Sequence, residues 1–408
     1  MDIEITPKKL SGRVTVPPSK SAAHRMLVAA ALAEGHSEIR RLAPSKDIIA
    51  TMEALRALGA EIELKGTTAR ITGIKTPPKE AEIDCCESGS TLRFLIPVAA
   101  ALGVKARFIG QGNLPNRPIT PYLQELPKHG AEFEYEGTMP FTVSGQLTGG
   151  RYLIDGSISS QFITGLIFAL AVLERDSDIV LTSPLQSRPY VDITIGTLAQ
   201  FGCEVTETDE GYHIKGGQRL EPFDGEVEGD YSQAAFFQVA DSLGSEIEIS
   251  GLSEKSFQGD KKIIEICKEI VYNKNGGLSP FTLDCSDIPD LVPILSVLAS
   301  FCDGESRIEN VGRLRIKECD RLAAMEHDLN LVGGKVKAYD DFLVIEGVGS
   351  LRGGRVPSFN DHRIAMAMAV AATRCEEKLI IEDAGCVSKS YPDFWEVYRS
   401  VGGDIRSL

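Results

Sequence analysis

What the 408-residue chain lacks narrows its chemistry before any motif is read. Its nine cysteines, at positions 85, 86, 203, 267, 285, 302, 319, 375 and 386, form no CxxC and have no histidine at metal-ligand spacing. An odd number of scattered thiols argues against a disulfide framework, so reduced cysteines, no metal and no cofactor are expected. Long apolar runs are missing: the longest, Phe162 to Leu173, is too short to span a membrane and contains Thr164 and Gly165. The opening MDIEITPKKL is acidic and has no apolar core, so no signal peptide is expected and the cytoplasm is the expected compartment. Positive charge is also scarce. With 43 Lys and Arg against 58 Asp and Glu, the formal charge is −15, which excludes a general nucleic-acid binder. A small anion remains possible where basic residues are concentrated locally.

Common catalytic signatures are absent as well. Lys20-Ser21 resembles the end of a phosphate-binding loop, but the preceding VTVPPS lacks the required glycines. GQGNLP at 110–115 is a partial GxGxxG with no dinucleotide-binding unit around it, and neither HExxH nor GxSxG occurs. What is present is a globular composition, 43% hydrophobic and 25% charged, with length for two or three domains.

An internal repeat organises that length. Six strongly apolar segments each follow a short polar motif. They begin SKSAAHR at Ser19, SGSTLR at Ser88, SSQF at Ser159, GDYSQ at Gly229, DIPD at Asp287 and NDHR at Asn360. The starts are 69, 71, 70, 58 and 73 residues apart. Apolar on nearly every face, they predict buried helices. A second, amphipathic set recurs at a similar period, from SKDIIATMEALRALG to DKKIIEICKEIVYNKNGG and YPDFWEVYRSVGG; its members end near a glycine suited to a helix C-terminus. Strand-like runs such as SEIRRL, AEIELK and ARITGI lie between. Each unit therefore reads helix, strand, helix, strand, strand. The sixth stops at GGDIRSL without a last strand, and the opening runs DIEIT and RVTVP are expected to complete it. Three units per domain gives one domain over 19–230 and another over 1–18 plus 231–408.

The polar motifs have two readings. Ser or Asp at a helix start caps orphan backbone N–H groups. Lys20, Arg25, Arg93 and His362-Arg363 are not explained that way, because a cation is unfavourable at the positive end of a helix; an anion that collects both the charges and the helix termini accounts for them. Arg117, Arg188, Arg313, Lys317, Arg321 and Lys389 extend the pattern, and equivalent ends of repeated units point to one cleft between domains. A ligand with more than one phosphate or carboxylate would match it. Asp290 in DIPD and Glu318 in IKECDR are the notable carboxylates, readable either as helix-start electrostatics or as a general acid or base.

PSKSAAHR, SGSTLR, NRPI, SSQF, SRPYVDIT, DIPD, KECDR, NDHR and SKSYPDF, in that order along the whole chain, resemble the 5-enolpyruvylshikimate-3-phosphate synthase family. The resemblance implies an α/β fold of two domains, each of three βαβαββ units (an inside-out α/β barrel). It implies transfer of the enolpyruvyl group of phosphoenolpyruvate to the 5-hydroxyl of shikimate 3-phosphate, with phosphate released, in aromatic amino acid synthesis. By the same resemblance Lys20, Ser21, Arg25, Ser159, Ser160, Gln161, Ser187, Tyr190, Asp290, Arg313 and Lys317 would hold shikimate 3-phosphate. Lys20, Gly89, Arg117, Gln161, Arg321, Arg363 and Lys389 would hold phosphoenolpyruvate. Asp290 would be the base on the 5-hydroxyl, and Glu318, Lys20 and His362 would manage the proton on the methylene carbon. A monomer needing only these two substrates is expected. Two departures stand out: Glu87-Ser88-Gly89-Ser90 where many members have Asn-Ala-Gly-Thr, and Arg313 where an asparagine is frequent. The sister enolpyruvyl transferase acting on UDP-N-acetylglucosamine is the alternative. It uses a Lys-Asn pair and usually a loop cysteine, whereas Ser21 follows Lys20 here and 108–121 holds no cysteine.

Overall fold

A computed structural model describes residues 1–270 and 277–408. The chain divides into two compact units, one continuous over Pro18–Glu228 and one assembled from Met1–Pro17 and Gly229–Leu408. Each has its own apolar core.

The apolar segments fold as helices because their hydrophobic residues continue through every turn and a polar cap starts most of them. In the continuous unit they are α1 (Lys20–Leu32), α3 (Gly89–Ala101) and α5 (Ser160–Leu170), with the amphipathic set as α2 (Lys46–Ala57), α4 (Thr120–Glu125) and α6 (Arg188–Gln200). The discontinuous unit holds α7 (Tyr231–Ser242), α9 (Val292–Ala299) and α11 (His362–Ala371), alternating with α8 (Lys262–Ile270), α10 (Arg321–Leu331) and α12 (Phe394–Ser400). The capping reading is correct for several starts. Ser19, Ser45, Ser88 and Ser159 accept backbone N–H bonds in one unit, as do Asp230, Asp320 and Asp361 in the other. The end of the DKKIIEICKEIVYNKNGG segment lies outside the described residues.

Among the described residues five sheets have four strands in one pattern, a parallel pair followed by two antiparallel neighbours. In the second repeat Glu80–Asp84 pairs parallel with Lys105–Ile109, which pairs antiparallel with Phe141–Gly145 and through it with Ala131–Glu134. Two repeats are completed by distant chain. Gly225–Glu226 returns to pair parallel with His36–Arg40 of the first repeat. At the other end Ile3–Thr6 lies antiparallel between Leu379–Glu382 and Asp404–Ser407 of the sixth, so the termini share a sheet. The second N-terminal run departs from expectation. Ser11–Thr15 pairs parallel with Glu246–Ser250 in a two-stranded sheet of the fourth repeat, the one whose spacing is short. Parallel strands need a long crossover between them, and the whole continuous unit, Pro18–Glu228, lies between these two in the chain.

Packing between the buried helices is close where small residues permit it. A Cβ on Gly165 of α5 would meet the Arg93 carbonyl of α3 at 2.2 Å and the Tyr122 hydroxyl at 2.3 Å. Pro97 in α3 has no N–H for the Arg93 carbonyl one turn earlier. Buried Tyr122 compensates, its hydroxyl 2.7 Å from that oxygen and 2.9 Å from the Phe162 carbonyl. Three helices are thereby tied at one buried point.

Candidate functional site

The helix starts of each unit gather polar groups that the core cannot use. In the continuous unit Arg25 is 2% exposed, on the first turns of α1. Its guanidinium donates to Thr194 Oγ1 (2.7 Å), the Ser21 carbonyl (2.7 Å), the Tyr190 carbonyl (2.8 Å) and Thr164 Oγ1 (3.4 Å). All four acceptors are neutral. Burial therefore pushes its pKa down to about 9, and a ligand anion would restore what desolvation costs. Arg93, also buried, donates to Gln161 Oε1 (2.6 Å) and lies over the Phe162 ring, while Gln161 Nε2 reaches Ser90 Oγ (3.0 Å). Lys20 pairs with Asp47 at 2.8 Å. The Arg117 guanidinium sits against Gly89, so close that a Cβ there would be 2.6 Å from Nη1. Ser160 and Ser187 are buried; Ser187 takes a left-handed φ of 58° as α6 begins, and Ser159 caps α5. Arg188 belongs elsewhere. Half-exposed, it pairs with Glu207 at 2.6 Å, the ordinary surface salt bridge that its sequence could not distinguish from an anion site.

In the discontinuous unit the cations have carboxylates. Arg321, 1% exposed, pairs with Asp290 (3.0 Å), Glu318 (2.9 Å) and Asp361 (2.8 Å). Arg363 pairs with the other Asp290 oxygen at 2.7 Å. Burial alone would raise the Asp290 carboxyl, but Arg363, Arg321 and Lys317 outweigh it and hold it well below the usual range. The same carboxylates, against burial, hold the Arg321 proton tightly. His362 is buried with Nδ1 4.0 Å from Asp361 Oδ1, and Lys389 donates to the Asn360 carbonyl at 2.8 Å. Arg313 donates to the Ser286 carbonyl, and Lys317 ends the turn Gly312–Ile316.

The continuous unit thus collects Lys20, Ser21, Arg25, Gly89, Arg117, Ser159, Ser160, Gln161, Ser187 and Tyr190. The discontinuous one collects Asp290, Arg313, Lys317, Glu318, Arg321, His362, Arg363 and Lys389. Comparison with known proteins gives these clusters a context. The profile described as EPSP synthase (3-phosphoshikimate 1-carboxyvinyltransferase) matches residues 5–398. The chain belongs to that family. Proteins named 3-phosphoshikimate 1-carboxyvinyltransferase from Clostridium beijerinckii and Clostridioides difficile are 44% and 43% identical to it, with 98% or more of each chain covered. Among solved structures, EPSP synthase from Acinetobacter baumannii superposes over 100% of both chains with TM-score 0.82 at 26% identity. The enolpyruvyl transferase NikO from Streptomyces tendae, at 18% identity and TM-score 0.81 over 99% of this chain and 98% of its own, shares the fold. Both the family resemblance and the α/β repeat fold read from the sequence are correct.

Sequence reasoning missed three members of these clusters. Asp47 partners Lys20 from α2, and its signal was its place in the SKD start of that helix. Asp361 stands inside the quoted NDHR, where capping α11 and binding Arg321 are simultaneous duties. Asp260 is buried and accepts from Ser232; burial, with Asp290 nearby, pushes its carboxyl up to about 7 against the pull of Arg363. Its signal was its place as the first residue of the DKKII segment.

Proposed function

We propose that the chain moves the carboxyvinyl group of phosphoenolpyruvate to the 5-hydroxyl of shikimate 3-phosphate through these two residue sets, each compact unit supplying its part. One observation carries the assignment: a carboxylate, Asp290, held at a cluster of helix starts by two arginines beside a second carboxylate, Glu318. In the other unit the shikimate phosphate is assigned to Ser21, Arg25, Ser159, Ser160, Gln161, Ser187 and Tyr190, where a buried cation has only neutral partners. Phosphoenolpyruvate is assigned to Lys20, Gly89, Gln161, Arg117, Arg321, Arg363 and Lys389.

The electrostatics give Asp290 its timing. Doubly ion-paired, it is a poor base. Phosphoenolpyruvate brings a carboxylate and a phosphate that compete for Arg321 and Arg363, and as those pairs weaken the Asp290 pKa rises toward the ordinary carboxylate range. It then takes the 5-hydroxyl proton as that oxygen bonds the central carbon of phosphoenolpyruvate. Glu318, with Lys20 and His362, is assigned the proton delivered to the methylene carbon and later withdrawn as phosphate departs. The fixed cations stabilise the anionic tetrahedral intermediate without reorganising. Arg313 and Lys317 are assigned to the shikimate side.

The site reading also holds that the enzyme works as a cytoplasmic monomer without nucleic acid, which light scattering and fractionation check. Among the described residues no helix is long and apolar enough to cross a membrane. The central test is phosphate release from phosphoenolpyruvate with alternative acceptors. Shikimate 3-phosphate alone supports turnover; comparable release with UDP-N-acetylglucosamine overturns the assignment.

A further inference from the structure

His24 lies one turn after Lys20 and one residue before Arg25 on α1, yet none of the roles above uses it. It is 1% exposed, and its Nε2 has no hydrogen-bond partner among the described residues. Its Nδ1 is 2.7 Å from Thr51 Oγ1 of α2. Thr51 in turn is 2.6 Å from Thr91 Oγ1 of α3, and Thr91 donates to Ser88 Oγ at 2.8 Å. Ser88 caps α3 by accepting from the Thr91 N–H, and the next residue is Gly89, against the Arg117 guanidinium.

Hydrogen counting gives this chain one direction. Burial, with Lys20 and Arg25 adding their charge, keeps the imidazole neutral. A neutral ring has one proton to give. Thr91 gives its proton to Ser88, so Thr51 gives its own to Thr91 at 2.6 Å, with the Asp47 carbonyl a longer second acceptor at 3.3 Å, and the ring proton on Nδ1 goes to Thr51. A second rung runs beside the first between the same two helices. Lys20 and His24 are four residues apart on α1, Asp47 and Thr51 four apart on α2, and Lys20 bonds Asp47 as His24 bonds Thr51. The ring edge also packs against Phe94 of α3, centroids 6.5 Å apart at 87°.

We infer that His24 is a positioning residue for the phosphoenolpyruvate side of the site, setting through Thr51 and Thr91 where Ser88 and Gly89 stand relative to Lys20. This rests on the assignment of Lys20, Gly89 and Arg117 to phosphoenolpyruvate. His24 touches no substrate; it acts by fixing the start of α3 against the start of α1. A buried hydrogen-bonded network has this capacity because a half-satisfied member forces its neighbours to move.

Steady-state kinetics with both substrates varied test it, on His24→Leu, His24→Asn, Thr51→Val and Arg117→Ala. Loss of one buried bond is expected to raise KM for phosphoenolpyruvate about 5- to 10-fold in His24→Leu and Thr51→Val, with KM for shikimate 3-phosphate and kcat within about twofold. His24→Asn keeps a short donor toward Thr51 and restores most of the loss. Thr51→Val breaks the same chain without removing the ring, so it decides the matter if His24→Leu does not fold. If Arg117→Ala raises KM for phosphoenolpyruvate while Thr51→Val and any folded His24→Leu leave it unchanged, or raise both KM values equally, the inference fails alone. If Arg117→Ala also leaves it unchanged, the site assignment beneath it fails.

Discussion

Gly89→Ala isolates the smallest steric change that the site assignment forbids. Gly89 is the first residue of α3, with Ser88 as its cap, so alanine suits the backbone and does not weaken the helix. The obstacle is Arg117. An added Cβ would lie 2.6 Å from its Nη1, 2.8 Å from Cζ and 3.0 Å from Nη2. Carbon and nitrogen prefer to be about 3.5–4.0 Å apart, so the guanidinium must retreat by roughly an ångström. Arg117 is 8% exposed, and its retreat forces side-chain torsions off their wells at a cost of order 1 kcal/mol. The fold survives, because the displaced atoms are the end of a flexible chain. Catalytic geometry does not, since a shift of 1 Å can cost on the order of 100-fold. The expected result is a KM for phosphoenolpyruvate raised about 10- to 100-fold, with KM for shikimate 3-phosphate within about twofold and a melting temperature lowered by no more than about 2–4 °C. Initial-rate kinetics and a thermal melt on the same preparation are the assay. An unchanged KM for phosphoenolpyruvate, or an equal rise for both substrates, refutes the placement of Arg117.

Asp290→Asn should lower kcat about 10²- to 10⁴-fold without raising KM for phosphoenolpyruvate, because Arg321 and Arg363 are released from a competing carboxylate; single-turnover rates near those of the parent would remove Asp290 as the base. Tyr122→Phe deletes the hydroxyl that serves the Arg93 carbonyl opposite Pro97, and should cost about 1–3 kcal/mol in thermal unfolding with no new cavity. Asp328 is buried with one oxygen on His327 and the other without a partner among the described residues, and burial pushes its pKa up to about 7. A carboxyl whose folded pKa exceeds its unfolded value of about 3.9 destabilises the fold progressively as pH rises between the two. Asp328→Asn should therefore gain stability over the parent between about pH 4 and 7, by at most about 4 kcal/mol, then hold that lead at higher pH. Denaturant melts at pH 4.5 and 8 check this, and an equal difference at both would show that Asp328 does not titrate there.

The sequence by itself determined the repeat and named most of the polar residues gathered at the helix starts. Buried helices must be apolar all round, so SKSAAHR, SGSTLR and their equivalents stood out at intervals near 70 residues, and backbone N–H groups at their starts demanded Ser or Asp. Tertiary structure decided pairing, because ion pairs and strand partners form between residues that no local pattern connects. Arg321 and Arg25 are similar cations at similar helix positions, yet one meets three carboxylates and the other none among its hydrogen-bond partners. Arg188 looked the same and lies on the surface. Ile3–Thr6 and Ser11–Thr15 are neighbouring strands in the chain but join different repeats, since a strand goes where an edge is open rather than where its neighbour went. Asp260 opens the DKKII segment and His24 stands inside SKSAAHR, yet neither was singled out, for burial and electrostatic field arise only once distant helices are brought together.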